Sequence, residues 1–232
     1  MKGTELYNLI TLLNGDMEID QTLAENLVET GKTIIEEERD WMVLRKTDSS
    51  KSVTTANTWE TEIDLSSIPN FSKFYGDYPI KLFDGDNKIE EYSQVPFDKR
   101  LFNKDNPNTF CFDENSKKLY LNGIVPFSGT LWIDHVVETE EIDLASDENV
   151  WTEFKGRFVR ILAFYAVGIH KGAIDFDNVV KYMLPEHKAT LISLKNAMMK
   201  WDDDKQSSII AVSDPTERYG SGHYDRHVNT TD

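Results

Sequence analysis

The sequence predicts an α+β fold: a helical bundle built from both chain ends, an inserted antiparallel β-sandwich-like domain, and an extended C-terminal tail. Three observations predict it. Apolar residues recur at helical spacing near the start, at spacing two from about Ser52 to Glu138, and at helical spacing again after Ser146-Asp147. The resulting boundaries are 1–46 with 147–206 for a discontinuous bundle, 47–146 for the β-domain and 207–232 for the tail.

In the first zone Leu6, Leu9, Ile10 and Leu13 share one helix face, with Thr4 placed to cap the helix and Gly15 to stop it. A longer helix is predicted from Asp20 to about Lys46. Leu27, Ile34 and Trp41 repeat along it at heptad spacing, with Val28, Ile35 and Met42 on the adjacent track. Glu36, Glu37 and Glu38 fall in this helix, and part of that run must face outward. Thr47, Asp48, Ser49 and Ser50 then compete for its backbone and end it.

In the middle zone Trp59, Thr61, Ile63 and Leu65 alternate with Glu60, Glu62 and Asp64, the pattern of a strand with one wet face. Ile80-Lys81-Leu82, Thr109-Phe110-Cys111-Phe112, Leu119-Tyr120-Leu121 and Thr130-Leu131-Trp132-Ile133 predict further strands. Asp84-Gly85-Asp86-Asn87, Asp113-Glu114-Asn115-Ser116 and Asn122-Gly123 supply turns between them.

A central helix is predicted from Val150 to Lys171. Trp151, Phe154, Phe158, Ile161, Leu162, Tyr165 and Ile169 form one stripe and Val159, Ala163, Ala166 and Val167 the other side. Gly156 and Gly168 permit close approach of a neighbour. A final helical region runs from Asp177 to Trp201, with Pro185 either kinking it or starting a second helix. Asp202, Asp203 and Asp204 are expected to end it, because three carboxylates oppose the helix dipole there.

Asp and Glu total 41 against 25 Lys and Arg, a formal charge of −16. Such a surface repels phosphate, which argues against sequence-specific DNA binding but not against DNA passing through an acidic channel. The lone cysteine, Cys111, excludes an intrachain disulfide framework and is consistent with synthesis in a reducing cytoplasm. The N-terminus reads as a helix and not a signal peptide. The longest nearly apolar stretch, Val159 to Ile169, contains Arg160 and is too short for a membrane span.

No residue set makes a strong catalytic or metal site. Cys111 lies in a strand with nothing to lower its pKa. His223 and His227, with Asp225 between them, have helical metal-site spacing, but Gly220 and Gly222 argue against a helix. Asp84-Gly85-Asp86-Asn87 lacks the later glycine and closing glutamate of a calcium loop. Carboxylate pairs suited to glycoside hydrolysis are uninformative in a chain this acidic. No cofactor, metal or catalytic residue is therefore expected. The tail has too few aliphatic residues for its own core, yet holds Ile209, Ile210, Val212, Pro215, Arg218, Tyr219, Tyr224 and Arg226. Tyr and Arg are enriched at binding hot spots, so these eight are the candidate partner-binding residues.

One series of features occurs in a telling order. A short helix ends in Leu12-Leu13-Asn14-Gly15 and a longer one reaches Trp41-Met42. The strand to Leu65 runs into Ile68-Pro69-Asn70-Phe71, followed by Asn108-Thr109-Phe110, Lys118-Leu119-Tyr120-Leu121, a Pro126 turn and Thr130-Leu131-Trp132-Ile133. The two C-terminal helices come last. In this the chain resembles the bacteriophage head-to-tail adaptor (connector) family, the ring beneath the portal. The resemblance spans most of the chain and is architectural; the stretch from Asp84 to Pro107 and the acidic charge are not among the features that carry it.

The resemblance implies a structural virion protein of the neck, made in the host bacterial cytoplasm and lacking enzymatic activity and any membrane anchor. It implies a homo-oligomeric, dodecameric ring between the portal protein and the next tail or neck protein, extending the channel through which DNA passes at genome ejection. It also implies that the extended tail docks on the portal. Two other readings stay open: another phage tail or neck component whose β-domain binds protein or glycan, and a hydrolase using an acidic pair.

Overall fold

The computed structural model describes residues 1–15, 19–55 and 60–212, with side chains as far as residue 206. In chain order the elements are α1 (Gly3–Asn14), α2 (Gln21–Glu37), β1 (Arg45–Val53), β2 (Glu60–Asp64), β3 (Phe71–Phe74), β4 (Ile80–Asp84) and β5 (Asn87–Gln94). There follow α3 (Arg100–Asn103), β6 (Thr109–Asp113), β7 (Lys118–Asn122), β8 (Gly129–Val137), α4 (Arg160–His170), α5 (Phe176–Tyr182) and α6 (Pro185–Val212). The chain divides into two compact units, Met1–Val43 with Glu141–Asp232, and Leu44–Glu140.

This architecture corrects the predicted one. The described residues form a mixed α/β structure with one curled sheet, not an antiparallel sandwich beside a helical bundle. The sheet order is β1-β8-β4-β5-β6-β7-β2, and β3 joins β8 off that path. All pairs are antiparallel except β5–β6, where Ser93 and Gln94 run parallel to Thr109 and Phe110. A parallel pair needs a long crossover, and the segment from Val95 to Asn108, which includes α3, supplies it.

The sheet's concave side holds one apolar cluster, including Ile63, Leu65, Ile80, Leu82, Phe110 and Phe112. Alternation places Ile80 two residues from Leu82 and Phe110 two from Phe112 on their strands, and Leu65 follows two residues after Ile63 just past β2. Cys111 and Tyr120 point to the opposite face yet are buried too. There Phe97 of the crossover packs on Tyr120, so β6 and β7 are covered on both sides.

In the helical unit α4 is buried from Ile161 through Gly168 and contacts α1, α2, α5 and α6. Several predicted boundaries move, each for a local reason. Thr4 lies inside α1; Lys2 precedes the helix, and its backbone N–H donates to Glu5. The second helix stops at Glu37 and not near Lys46. Trp41 folds back so that its indole N–H donates to the Ile35 carbonyl at 2.7 Å, occupying an acceptor of the last turn. The residues after it, Arg45 to Val53, become β1. On α2 the buried stripe is Ala24, Val28, Gly31 and Ile35, with Leu27 and Ile34 half-buried at its margin.

The helix expected from Val150 begins only at Arg160. Trp151 sits at φ 52°, a left-handed conformation that cannot continue a right-handed helix. Its ring lies 4.0 Å from that of Phe154, and its indole N–H donates to Glu36 at 2.7 Å. Pro185 opens α6 at its first position, where a missing N–H costs nothing. The aspartates do not end that helix, which continues to Val212. Ile209, Ile210 and Val212 are therefore in α6 and not in an extended tail.

Gly31 lets α2 and α4 meet: a Cβ built there would come within 2.7 Å of the Tyr165 Cβ. Gly31→Leu is expected to lower the unfolding free energy by about 1–3 kcal/mol through overpacking. Urea denaturation reads this directly; an unchanged midpoint would show that the two helices are not in close contact at this position.

Candidate interaction surfaces

Three surface features and one buried seam bear on function. Between α1, α4 and α6 runs a groove of about 670 Å³. Leu9, Leu12 and Leu13 line it from α1, Phe164 from α4 and Leu194 from α6, and Leu12 is 76% exposed. Arg157, Arg160 and His187 add positive or titratable groups to the lining, against a single carboxylate, Glu5. Arg157 lies over the Phe158 ring at 4.6 Å. Neither arginine has a carboxylate partner among the described residues.

The second feature is the tip of the β5–β6 crossover. Leu101 is 80% and Phe102 90% exposed, side by side on α3. Several contacts anchor the segment that carries them. Arg100 donates through Nε to Glu60 at 2.8 Å and through a second nitrogen to the other oxygen of the same carboxylate. Its guanidinium also lies 3.5 Å above the Tyr120 ring. A forked ion pair combined with ring stacking is a contact that arginine makes and lysine cannot. The Gly123 N–H donates to the Lys104 carbonyl and closes the far side.

The third is a polar cleft of about 490 Å³ beside the hairpin of β4 and β5, lined by Tyr78, Lys88, Glu90, Glu91, Ser93 and Asn108. Tyr78 is half exposed, while Lys88 and Glu91 pair at 2.7 Å and Tyr92 donates to Glu90 at 2.9 Å.

The buried seam lies along α2 and just beyond it. Asp202, fully buried, accepts the Met42 N–H at 2.8 Å and pairs with Arg39 at 3.2 Å. Arg39 also reaches Asp203 at 2.8 Å. Lys195, with 4% of its side chain exposed, contacts the Glu38 carboxylate and lies 5.4 Å from the Phe176 ring centre and 5.9 Å from that of Trp41. Burial holds its pKa down at about 8.

The residues singled out in the sequence fare differently. Burial pushes the Cys111 thiol pKa up, and its sulfur faces the Pro96 carbonyl and Asn122, so it is not set up as a nucleophile. Asp84 to Asn87 form the turn between β4 and β5, with Gly85 at φ 57°. Among the described residues no group of three or more His, Cys, Asp or Glu is placed to hold a metal. Among them, too, no helix is long and apolar enough to cross a membrane. Pro215, Arg218, Tyr219, His223, Tyr224, Asp225, Arg226 and His227 lie outside the described residues.

Sequence reading missed the groove arginines, the Leu101-Phe102 tip and Lys195. The tip had a local signal, two adjacent apolar residues between Lys99-Arg100 and Asn103-Lys104, with Pro96 and Pro107 bracketing the segment. No family model matches this chain, and no curated protein matches it.

Two outcomes follow from this geometry. Replacing Arg100 by Met removes both its ion pair and its guanidinium plane, so amide exchange in residues 97–106 is expected to speed up about tenfold or more. The rest of the sheet should stay protected; equal protection of the crossover would show that Arg100 does not hold it.

Lys195 gives a pH signature. Its pKa is lower folded, about 8, than the ordinary 10.5, so between these values the unfolded chain binds more protons and stability rises with pH. The penalty relieved across that window is on the order of 3 kcal/mol. Tyr92 and Tyr165 act oppositely: burial raises both, so the unfolded chain deprotonates first and stability falls above about pH 10. The difference between the parent and Lys195→Met, measured by urea unfolding at pH 7.5 and 9.5, should shrink at the higher pH. A constant difference would contradict the buried-lysine assignment.

Proposed function

We propose that this protein is a structural subunit of a phage neck, a head-to-tail adaptor that forms a ring beneath the portal and acts by contact without turnover. The observation that carries the reading is the Leu101-Phe102 tip. Two adjacent large apolar side chains are almost wholly exposed, and Arg100 fixes the segment that presents them. An exposed apolar pair costs solubility and contributes nothing to the sheet's own core. Mounted rigidly, it gives an anchor whose ordering entropy is already spent before a partner arrives. The separate apolar groove on the helical unit supplies a second contact region. Repeated contacts between unlike surfaces are what close a ring by rotation.

The order of sequence features that resembles the adaptor family supports the same reading, as does the charge of −16, which suits a channel that DNA must traverse without adhering. The portal, the neighbouring copies and the next neck or tail protein are then its partners, with DNA only as passing cargo. A β-unit that binds protein or glycan is favoured by one feature, the polar cleft with half-exposed Tyr78 beside Glu90 and Asn108. An exposed ring beside amide and carboxylate groups is a common sugar-binding arrangement, but here the carboxylates are engaged by Tyr92 and Lys88.

Light scattering of the purified protein with and without a candidate portal tests the proposal. A closed oligomer is expected in one or both conditions. Leu101→Asp with Phe102→Asp should weaken assembly at least about tenfold while leaving the melting temperature within a few degrees, because both residues are exposed. A monomer under all conditions would overturn the reading.

A further inference from the structure

Residues 96–108, the crossover between β5 and β6, cover part of the sheet without being built into it. We propose that they form a strap that opens as a unit while the sheet stays folded, with Arg100 as its latch. Opening uncovers a second face of β6 and β7 that bears Cys111, Tyr120 and Asn122. This goes beyond the ring reading and does not rest on it.

Burial across the strap is one-sided. Beneath it Cys111, Tyr120 and Asn122 are all buried. Of residues 96–108 themselves none is buried, and only Arg100 and Asn103 are half-buried. Even Phe97, whose ring packs on Tyr120, stays exposed. A segment that removes so little of its own apolar surface from water gains little by staying down, so its closure depends on particular contacts.

Those contacts converge on one side chain. Arg100 holds both oxygens of Glu60 on β2, stacks on Tyr120 of β7 and lies 5.9 Å from the centre of the Phe97 ring. The other ties are sparse. The Gly123 N–H donates to the Lys104 carbonyl at 2.6 Å, the Thr109 hydroxyl to the Asn106 carbonyl at 2.9 Å, and the Cys111 thiol meets the Pro96 carbonyl at 3.8 Å.

The ends of the strap are fixed independently of its middle. The Val95 N–H donates to the Phe110 carbonyl at 2.8 Å and the Ser93 N–H to the Asn108 carbonyl at 3.0 Å, so β5 and β6 remain paired where the strap leaves them. Asn108, at φ 60°, marks the point where the chain departs from strand geometry. Phe110, Phe112, Leu119 and Leu121 belong to the core cluster on the opposite side of the sheet, and lifting the strap leaves them in place. Such an opening costs far less than unfolding the whole unit. The Leu101-Phe102 tip rides on the strap, so the same latch sets how the tip is presented.

Cys111 is the only cysteine in the chain and therefore reports the opening through its reaction with a maleimide, followed by mass on the full-length protein. In the parent, labelling at low urea should be at least about a hundredfold slower than for an exposed thiol and nearly independent of urea, rising steeply only near the unfolding midpoint. Arg100→Met and Glu60→Gln should each speed the low-urea reaction roughly tenfold, and Arg100→Lys should rescue little, because lysine supplies neither the fork nor the plane. Lys118→Met removes an ion pair to Glu62 between the same two strands, β2 and β7, but outside the strap, and should leave the rate unchanged. Parent labelling that tracks global unfolding at every urea concentration would overturn the proposal. So would labelling as fast as that of an exposed thiol, or Arg100 variants no faster than Lys118→Met. The urea dependence is read on the parent alone, so it decides even where a variant fails to fold. None of these outcomes depends on a portal or a ring, so they are distinguishable from failure of the assembly reading.

Discussion

A carboxylate that loses all contact with water must find donors, and in this protein that requirement ties the two ends of the chain together. Asp202, fully buried on α6, accepts the backbone N–H of Met42 through one oxygen and ion-pairs with Arg39 through the other, both partners lying just past the end of α2. The same helix sends Glu36 to the indole of Trp151, Glu38 to Lys195, and Glu29 to the N–H of Ile142 at 2.5 Å. Each contact joins residues more than a hundred positions apart in the sequence. Removing Arg39 would leave Asp202 buried without its cation, which costs more than the intact pair contributes. The seam therefore specifies register more than it adds stability. It fixes where α2 must stop, why Trp151 leaves helical geometry, and why α6 runs through three aspartates.

The β-unit is organised by a different constraint, the direction of one strand pair. Once β6 runs parallel to the end of β5, the chain must cross over, and the crossover covers the sheet's outer face at β6 and β7. That cover buries Cys111 and Tyr120, and it carries α3. Arg100 then serves two purposes at once. It neutralises Glu60 on β2 and stacks on Tyr120 of β7, so the excursion is held by strands on the far side of the parallel pair. The exposed apolar pair next to it inherits that rigidity. A long connection in a sheet is ordinarily the mobile part; here ion pairing and ring stacking fix it.

Alternation and turn chemistry made β2, β4, β6, β7 and β8 legible in the sequence, because Ile63, Leu82, Phe110, Leu119 and Leu131 each face one shared core. The fully apolar α4 and the start of α6 at Pro185 were legible for equally local reasons. The rest was not. β1 is Arg-Lys-Thr-Asp-Ser-Ser-Lys-Ser-Val, a polar strand defined by its pairing with β8 and by no pattern of its own. β5 has glutamates on consecutive positions and is a strand because β4 precedes it. Glu36, Glu38, Arg39 and Asp202 read as surface charge until the fold brings each to a partner distant in sequence. The sandwich was predicted from strand count, which says nothing about whether the strands belong to one sheet or two. Of the candidate site, the tip lay in a segment bracketed by prolines, but the groove is assembled from three helices that are distant in sequence, and no local pattern announces it.

The two apolar surface features differ in how a partner could use them. The Leu101-Phe102 tip is convex and held by a charged contact, so its shape is set before binding and the partner must provide the pocket. Affinity at such a site comes from desolvating two large side chains and loses little to ordering. The groove is concave, with apolar walls and two arginines that have no carboxylate partner among the described residues. The two surfaces therefore place opposite demands on whatever covers them: the convex tip needs a pocket, and the groove needs an apolar side chain to enter it.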